Sequence, residues 1–289
     1  MRPVNDPFSL PVASWNLAHR RNRIEHFSRL LAAAVGSGPC LLLLQEVHPE
    51  LLRPLSRSLG VDWSHHVTEV MTDAQRAERV RGRGVAIAGR GVDLDALHGW
   101  PGPGLAEKVL IADVIADGQR MTTASYHAPA GVTHHQVKPR QAAAFARWLA
   151  DQTGPVLFGA DTNTPEIDHP DFAQTRTHWH TGHRKLDPGE LGEDALTGPA
   201  RIHHLDDCLR LWLTEHPDEL ARITAERPTG PLAVSHRTGK RRDNPGTPRR
   251  FDSIWVSSDF VVTDVSYDYQ GAVDAGSDHG LVVARLAWR

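Results

Sequence analysis

PVLFGADTN, residues 155–163, decides how the rest of this chain is read. Val156, Leu157 and Phe158 form a short apolar run between Gly154-Pro155 and Gly159. A run of that length bounded by turn formers predicts a strand buried on both faces. It ends in Asp161-Thr162-Asn163, which can turn the chain and set polar groups at the strand's carboxyl end. Asp161 offers an anionic oxygen, and Asn163 an amide that both donates and accepts. Two residues apart, they can converge on one water or one phosphate oxygen. An ordinary Asx turn after a buried strand has the same sequence, so the stretch gains meaning only from the rest of the chain.

Working outward, the same design recurs. Residues 11–15 predict a first strand, followed by Asn16. Residues 20–35 carry Ile24, Phe27, Leu30, Leu31 and Ala34 at helical spacing and stop at Gly36 and Gly38. Residues 40–44 are continuously apolar and lead into Gln45-Glu46; a carboxylate is rarely buried unpaired, so Glu46 should emerge at a strand end. The alternative for Glu46 is an acid at the start of the helix predicted over 50–59. Residues 61–70 alternate irregularly, 71–81 read as an exposed loop or short helix, and 84–88 as an inner strand. A strand pair over 105–116 and 120–127 turns at Asp117-Gly118 and delivers Tyr126 and His127 before Pro129. An amphipathic helix over 134–150 leads back to the opening strand. The two halves therefore look alike: strand, helix, strand ending in acid.

Residues 164–200 are polar, rich in His, Asp, Gly and Pro, and without periodicity, which predicts a long loop or insertion. His178, His180 and His183 surround Trp179 there. A zinc site would need a fourth ligand or an open water position; a substrate-facing or solvated loop has the same composition. Short helices are expected over 205–213 and 217–225. Strands follow over 251–257, with Asp252 near the start, over 260–267 and over 281–286. The last is preceded by the loop Gly276-Ser277-Asp278-His279-Gly280.

The 289 residues fit one large domain or two ordinary ones, and the 40% hydrophobic and 23% charged content is that of a soluble globular protein. Cys40 and Cys208 sit among apolar residues and read as buried thiols. No segment approaches 18 consecutive apolar residues, so no membrane span is expected. The first 16 residues lack the apolar stretch of a signal peptide, which makes the cytoplasm the expected location. The formal net charge of -3 does not announce a nucleic-acid partner. Its distribution is less even: residues 236–250 hold Arg237, Lys240, Arg241, Arg242, Arg249 and Arg250 against Asp243.

Each polar residue singled out sits at the end of an apolar strand: Asn16, Glu46, His127, Asp161, Asn163, Asp252, Asp278 and His279. SWN at 14–16, LQE at 44–46, SYHAP at 125–129, GADTN at 159–163, RFDSIWVS at 250–257 and SDH at 277–279 together resemble the ordered motif set of the endonuclease/exonuclease/phosphatase superfamily. That group is similar in fold to deoxyribonuclease I and to the exonuclease III family. Any one motif is common; the set of six in order is specific, and it runs from residue 14 to the carboxyl terminus.

The resemblance implies one α/β domain over residues 1–289, with the insertion at 164–200. Its fold would be a four-layered α/β sandwich with two central, mainly antiparallel sheets. It also implies a phosphoesterase dependent on Mg²⁺, with Mn²⁺ as a substitute. Asn16, Glu46 and Asp278 would be the metal's oxygen ligands. Asp161 and Asn163 would position the attacking water, and Asp252 would fix the tautomer of His279. His279 is left as either base or phosphate binder. His127 matches the histidine that deoxyribonuclease-like members set against the scissile phosphate; the exonuclease III-like members use a tyrosine, and Tyr126 is adjacent. Arg241, Arg242, Arg249 and Arg250 are candidate substrate contacts. A monomeric nuclease acting on DNA or RNA is the leading expectation. A phosphatase or phosphodiesterase on a small molecule or lipid headgroup, such as an inositol phosphate, is the alternative. A binding module on an inactive fold is the third reading, and the filled motif positions disfavour it.

Overall fold

Strands that are apolar on both faces need cover on both sides, and the chain supplies it in layers. The computed structural model describes residues 8–78, 82–134, 136–177, 192–241 and 243–289. Its strands are β1 (Leu10–Asn16), β2 (Cys40–Val47), β3 (Trp63–His66), β4 (Gly84–Arg90), β5 (Asp93–Gly99), β6 (Val109–Ala116) and β7 (Gln119–His127). They continue with β8 (Val156–Asp161), β9 (Asp206–Asp207), β10 (His236–Thr238), β11 (Thr247–Arg249), β12 (Asp252–Val256), β13 (Phe260–Asp268) and β14 (Leu281–Trp288). Among the described residues they form two six-stranded sheets, ordered β13-β14-β1-β2-β4-β3 and β5-β6-β7-β8-β12-β9, and a separate β10-β11 hairpin. Each large sheet has one parallel pair, β1 with β2 and β7 with β8; the other pairings are antiparallel.

Alternation along the central strands builds three apolar layers. Val12, Leu41, Leu43, Val85, Leu110, Leu157, Ile254 and Val282 meet between the sheets. The opposite face of the first sheet, with Trp15, Leu42, Leu44 and Val283, packs on Phe27 and Leu31 of α1 (Ile24–Val35) and on Leu51 and Leu55 of α2 (Pro49–Leu59). The outer face of the second sheet carries Tyr126, Phe158 and Trp255. Beyond the short α3 (Asp73–Glu78) and α4 (Gly131–His134), α5 (Val137–Ala150) covers that face with Phe145 and Leu149, and α6 (Gly192–Thr197) adds Leu196. Phe145 stacks on Tyr126 with ring centroids 4.6 Å apart. Each such side chain taken fully out of water contributes about 1.5–3 kcal/mol before entropy is counted. Next in the chain, α7 (Cys208–Glu215) closes the inter-sheet core at one edge with Leu209 and Leu213, and α8 (Pro217–Glu226) packs Ile223 beside it. Finally, α9 (Tyr269–Ala275) seats Ala272 and Ala275 against the first sheet's helical face. Helix, sheet, sheet, helix is the four-layered sandwich. Both cysteines are buried and free, and no helix among the described residues is long and apolar enough to cross a membrane.

The sheets approach closely at Gly159. A Cβ there would lie 2.8 Å from both Leu43 Cδ1 and Ser14 Cβ. Beside this contact, Gln45 is fully buried and donates to the Leu43 carbonyl, Ser14 Oγ and Ser125 Oγ across the two sheets. The carboxyl ends of β1, β2, β7 and β8 lie just beyond.

Several elements differ from the sequence expectation. Residues 93–99 form a strand that was not expected: DLDALHG is an edge strand, half exposed, so it lacks an apolar run. Of 61–70 only Trp63–His66 is strand, and Val67–Glu69 is a 3-10 turn. The basic stretch contains the β10-β11 hairpin, and α9 was not anticipated. Residues 178–191, with His178, Trp179, His180 and His183, lie outside the described residues, as does Arg242.

Candidate active site

The parallel pairs explain why the polar strand ends meet. Asn16 ends β1 and Asp161 ends β8 on the facing sheet, and Asn16 Nδ2 donates to Asp161 Oδ2 at 2.8 Å. Asp252 opens β12, which runs antiparallel to β8 with Asp252 paired to Asp161. The loop before β14 returns beside β1: Ser277 Oγ donates to the Asn16 carbonyl at 2.6 Å, and Trp15 Nε1 donates to the His279 carbonyl at 2.8 Å. His279 Nδ1 lies 2.9 Å from Asp252 Oδ2. His127 Nε2 stands 3.5 Å from Asp161 Oδ2 and 3.8 Å from Glu46 Oε1.

Two local distortions aim side chains into this end. The β2–β4 register shifts between Leu44 and Val47, and Glu46 sits at φ 53°. A bulge of this kind re-aims a side chain out of the pleat. Glu46 Oε2 is met by His19 Nδ1 at 2.6 Å and by Arg83 Nη1 at 3.1 Å. Asn163 sits at φ 50°, a region that asparagine tolerates better than most residues. Its N–H donates to Asp161 Oδ1 at 3.0 Å, and its carbonyl accepts from Lys138 Nζ at 3.0 Å.

The charges sort themselves by neighbour. Burial works to raise the Asp161 carboxyl, but the imidazoles of His279 and His127 and the Asn16 hydrogen bond outweigh it and hold it at about 2. Burial lowers His279, yet Asp252 and Asp161 overcome this and lift it to about 10. Burial raises Asp252 to about 6 against the pull of His279. Between about 6 and about 10 the pair is therefore carboxylate and imidazolium. His127 goes the other way: burial, then the Lys108 cation, press it down to about 3. Lys108 Nζ lies 2.9 Å from His127 Nδ1, and burial lowers Lys108 to about 8, so it is still mostly cationic at neutral pH. An ammonium only donates, so Nδ1 accepts and the ring's proton is on Nε2, facing Glu46 and Asp161. Burial raises Glu46, but His127, His19 and Arg83 together leave it below its ordinary value.

A cleft of about 340 Å³ opens onto these groups. Its walls include Asn16, Glu46, His127, Asp161, Asn163, Asp278 and His279, and also Arg83 and Lys108. Asp252 lies behind His279, with no exposed surface. Tyr126 is also fully buried, under α5, so the neighbouring tyrosine does not reach the cleft. The arginines fare differently. Arg250, expected to contact substrate, is buried: Nε and Nη2 bind Asp168, and Nη1 binds Asp207 at 2.7 Å. A guanidinium so enclosed by two carboxylates is a structural pin. Arg249 is half-buried and donates to the Glu166 carbonyl, and Arg241 is exposed in the loop joining β10 and β11. Lys108, Arg83, His19, Lys138 and Ser277 were not singled out from sequence. Of these, Lys138 carried one usable signal: it sits on the face of α5 that is buried.

No protein-family model and no curated protein matches the sequence. Solved structures do. Zebrafish (D. rerio) TDP2, complexed with single strand DNA product, is 16% identical, with 96% of this chain and 98% of that chain covered at a TM-score of 0.62. An endonuclease/exonuclease/phosphatase from Bacteroides vulgatus is 12% identical over 98% of this chain and 100% of the other, with a TM-score of 0.60. This chain has the endonuclease/exonuclease/phosphatase fold. The human Nocturnin catalytic domain with bound sulfate anion shares it at 15% identity, over 97% and 95% of the two chains, with a TM-score of 0.58. Within that fold, the donors lining the cleft suit a hard cation. They are the Glu46 and Asp278 carboxylates and the Asn16 amide, whose Oδ1 already accepts from Ala18 N at 2.8 Å and keeps a second lone pair. Few oxygens and an open cleft fit Mg²⁺, which keeps several waters.

Proposed function

We propose that the protein is a Mg²⁺-dependent phosphodiester hydrolase acting on nucleic acid. One observation carries the reading. Asp161 is an anion fixed by Asn16 and by its own turn, 3.7 Å from the cationic ring of His279 and 3.5 Å from the neutral ring of His127. That arrangement provides one acceptor for a water and two donors for phosphate oxygens, in one cleft.

The chemistry follows from those atoms. Asp161 accepts a hydrogen bond from the attacking water and aligns it with phosphorus. As the new P–O bond forms and the bond to the leaving oxygen breaks, the water's proton becomes acidic and passes to Asp161. An anion with a pKa of about 2 is adequate for that task, because orientation is its main contribution. His279 acts as phosphate binder: already protonated and tied to Asp252, it cannot accept the water's proton. His127 offers Nε2–H to a second phosphate oxygen, and Lys108 holds it in that tautomer. Glu46, Asn16 and Asp278 would hold the cation, which would supply Lewis-acid polarisation of the phosphate and offset charge on the leaving oxygen.

The choice of nucleic acid rests on the surroundings. A second cavity of about 500 Å³ shares Asp278 with the cleft and is lined by Arg237, Lys240 and Tyr269. The Arg237 guanidinium and the Lys240 ammonium lie 5.9 and 6.0 Å from the Tyr269 ring. Cations with an aromatic face suit a phosphate followed by an unstacked base. Arg241, exposed nearby, extends the basic track, and the single strand DNA product of the TDP2 neighbour supports the same class. The test is Mg²⁺-dependent hydrolysis of duplex DNA, single-stranded DNA, RNA and inositol phosphates, with Asp161→Ala as control. Cleavage of a nucleic acid that is lost in the control is expected. Turnover confined to inositol phosphates overturns the substrate, and turnover kept by Asp161→Ala overturns the mechanism.

A further inference from the structure

We propose that His236, Asp278 and His279 form a site for a late first-row divalent cation, zinc foremost, whose binding switches the hydrolytic centre off. One donor atom from each residue lies within 4.8 Å of the others. The hydrolytic scheme gives His236 no task, yet its ring is set 4.4 Å from that of His279, tilted by 30°.

The decisive feature is how both rings are held. His236 Nδ1 lies 3.0 Å from the Asp278 carbonyl oxygen, which can only accept, so Nδ1 carries a proton there and Nε2 is left with a lone pair. His279 Nδ1 is bound by the Asp252 carboxylate, so Nε2 is the atom left for a metal; that nitrogen is protonated in the metal-free protein, and zinc binds it by displacing the proton to solvent. A backbone carbonyl on one imidazole and a carboxylate on the other are the outer contacts that orient histidines on zinc and strengthen them as ligands. Asp278 adds an exposed carboxylate at the rim.

The donor set separates this site from the one at Glu46. Two imidazole nitrogens and one carboxylate suit zinc, cobalt, nickel or copper and leave a fourth tetrahedral position for water. Magnesium prefers oxygen throughout. The cavity bordered by His236 and Asp278 gives an ion access from solvent. Bound there, it takes the Nε2 position of His279 that the proposed mechanism turns toward phosphate, and it draws Asp278 away from the cleft. Occupancy is independent of the hydrolase reading; only the loss of activity rests on it.

The test is calorimetric titration of the full chain with zinc chloride in excess Mg²⁺, repeated with His236→Ala. The site predicts one zinc ion per chain, bound at least about tenfold more weakly by the variant. Cobalt(II) titration should give the intense visible absorption of a four-coordinate ion in the wild type and lose it in the variant. Failure of zinc to bind, or equal binding by both proteins with the variant's fold verified by circular dichroism, overturns the proposal. For inhibition, the zinc concentration that halves each protein's own zinc-free rate should rise at least about tenfold in His236→Ala. An unchanged midpoint refutes the switch even where zinc binds.

Discussion

Replacing Asp252 by Asn tests the charge logic of the site most directly. The substitution keeps the shape and a hydrogen-bond acceptor but removes the negative charge 2.9 Å from His279 Nδ1. Between charge centres about 4 Å apart, an effective dielectric of about 20 gives an interaction of about 4 kcal/mol. That is about three pKa units. His279, at about 10 in the wild type, should therefore titrate near 7 in the variant, with Asp161 still 3.7 Å away to hold it from falling further. NMR titration of the His279 ring proton reads this directly. A new alkaline loss of kcat/KM should appear near neutrality, because the phosphate then meets a neutral ring. Stability follows the same sign. A histidine raised above its ordinary 6.5 stabilises the fold fully below pH 6.5, and that contribution is lost as pH rises through about 10. Wild-type stability should thus decline between those limits, and the variant should lack most of that slope. A His279 titration unmoved by Asp252→Asn would refute both the pairing and the role of the imidazolium.

The other expectations concern separate parts of the molecule. Arg250→Ala should destabilise the protein by about 3–5 kcal/mol in urea unfolding, because it leaves Asp207 buried without its cation and Asp168 with Arg210 alone. Arg241→Ala should stay within about 0.5 kcal/mol of wild type and lower the salt dependence of DNA binding by about one unit of slope. Gly159→Ala should cost about 1–3 kcal/mol, since its Cβ would press on Ser14 and Leu43 across the sheets. A thermal midpoint at or above wild type would show that the gap can relax. Glu46→Ala should lower turnover at limiting Mg²⁺ by at least about a hundredfold while the metal-free protein unfolds at an unchanged temperature; wild-type turnover and metal dependence would remove Glu46 from the site.

What the sequence revealed and what it hid have the same cause. A strand buried on both faces can place a polar group only where it leaves the sheet, so Asn16, Glu46, Asp161 and Asp252 stand out against Val, Leu and Ile. Lys108 and Arg83 do not stand out, because a cation beside a loop looks like any solvated side chain until the fold encloses it. Arg250 misleads for the opposite reason. Within a run of basic residues it looks like its neighbours, and its partners Asp168 and Asp207 lie 82 and 43 residues away. Strand β5 was hidden by its position at the edge, where polar residues are tolerated.

The fold and the chemistry are linked through the two parallel pairs. A parallel connection forces the chain to cross over before re-entering the sheet in the same direction, so β1 and β2 end together, as do β7 and β8. Packing β1 against β8 then brings four carboxyl ends from two sheets to one place. Antiparallel β12 and β14 start where those strands stop, which adds Asp252 and His279 from the last part of the chain. Each contribution is fixed by a strand buried on both sides, so the donors need no ligand to organise them: Asn16 already holds Asp161, and Asp252 already holds His279. Preorganisation of this kind puts the cost of ordering on folding and leaves little to be paid when phosphate arrives. The same Asp252 contact that orients the His279 ring for an anion would orient it for a metal, which has to displace the Nε2 proton to bind.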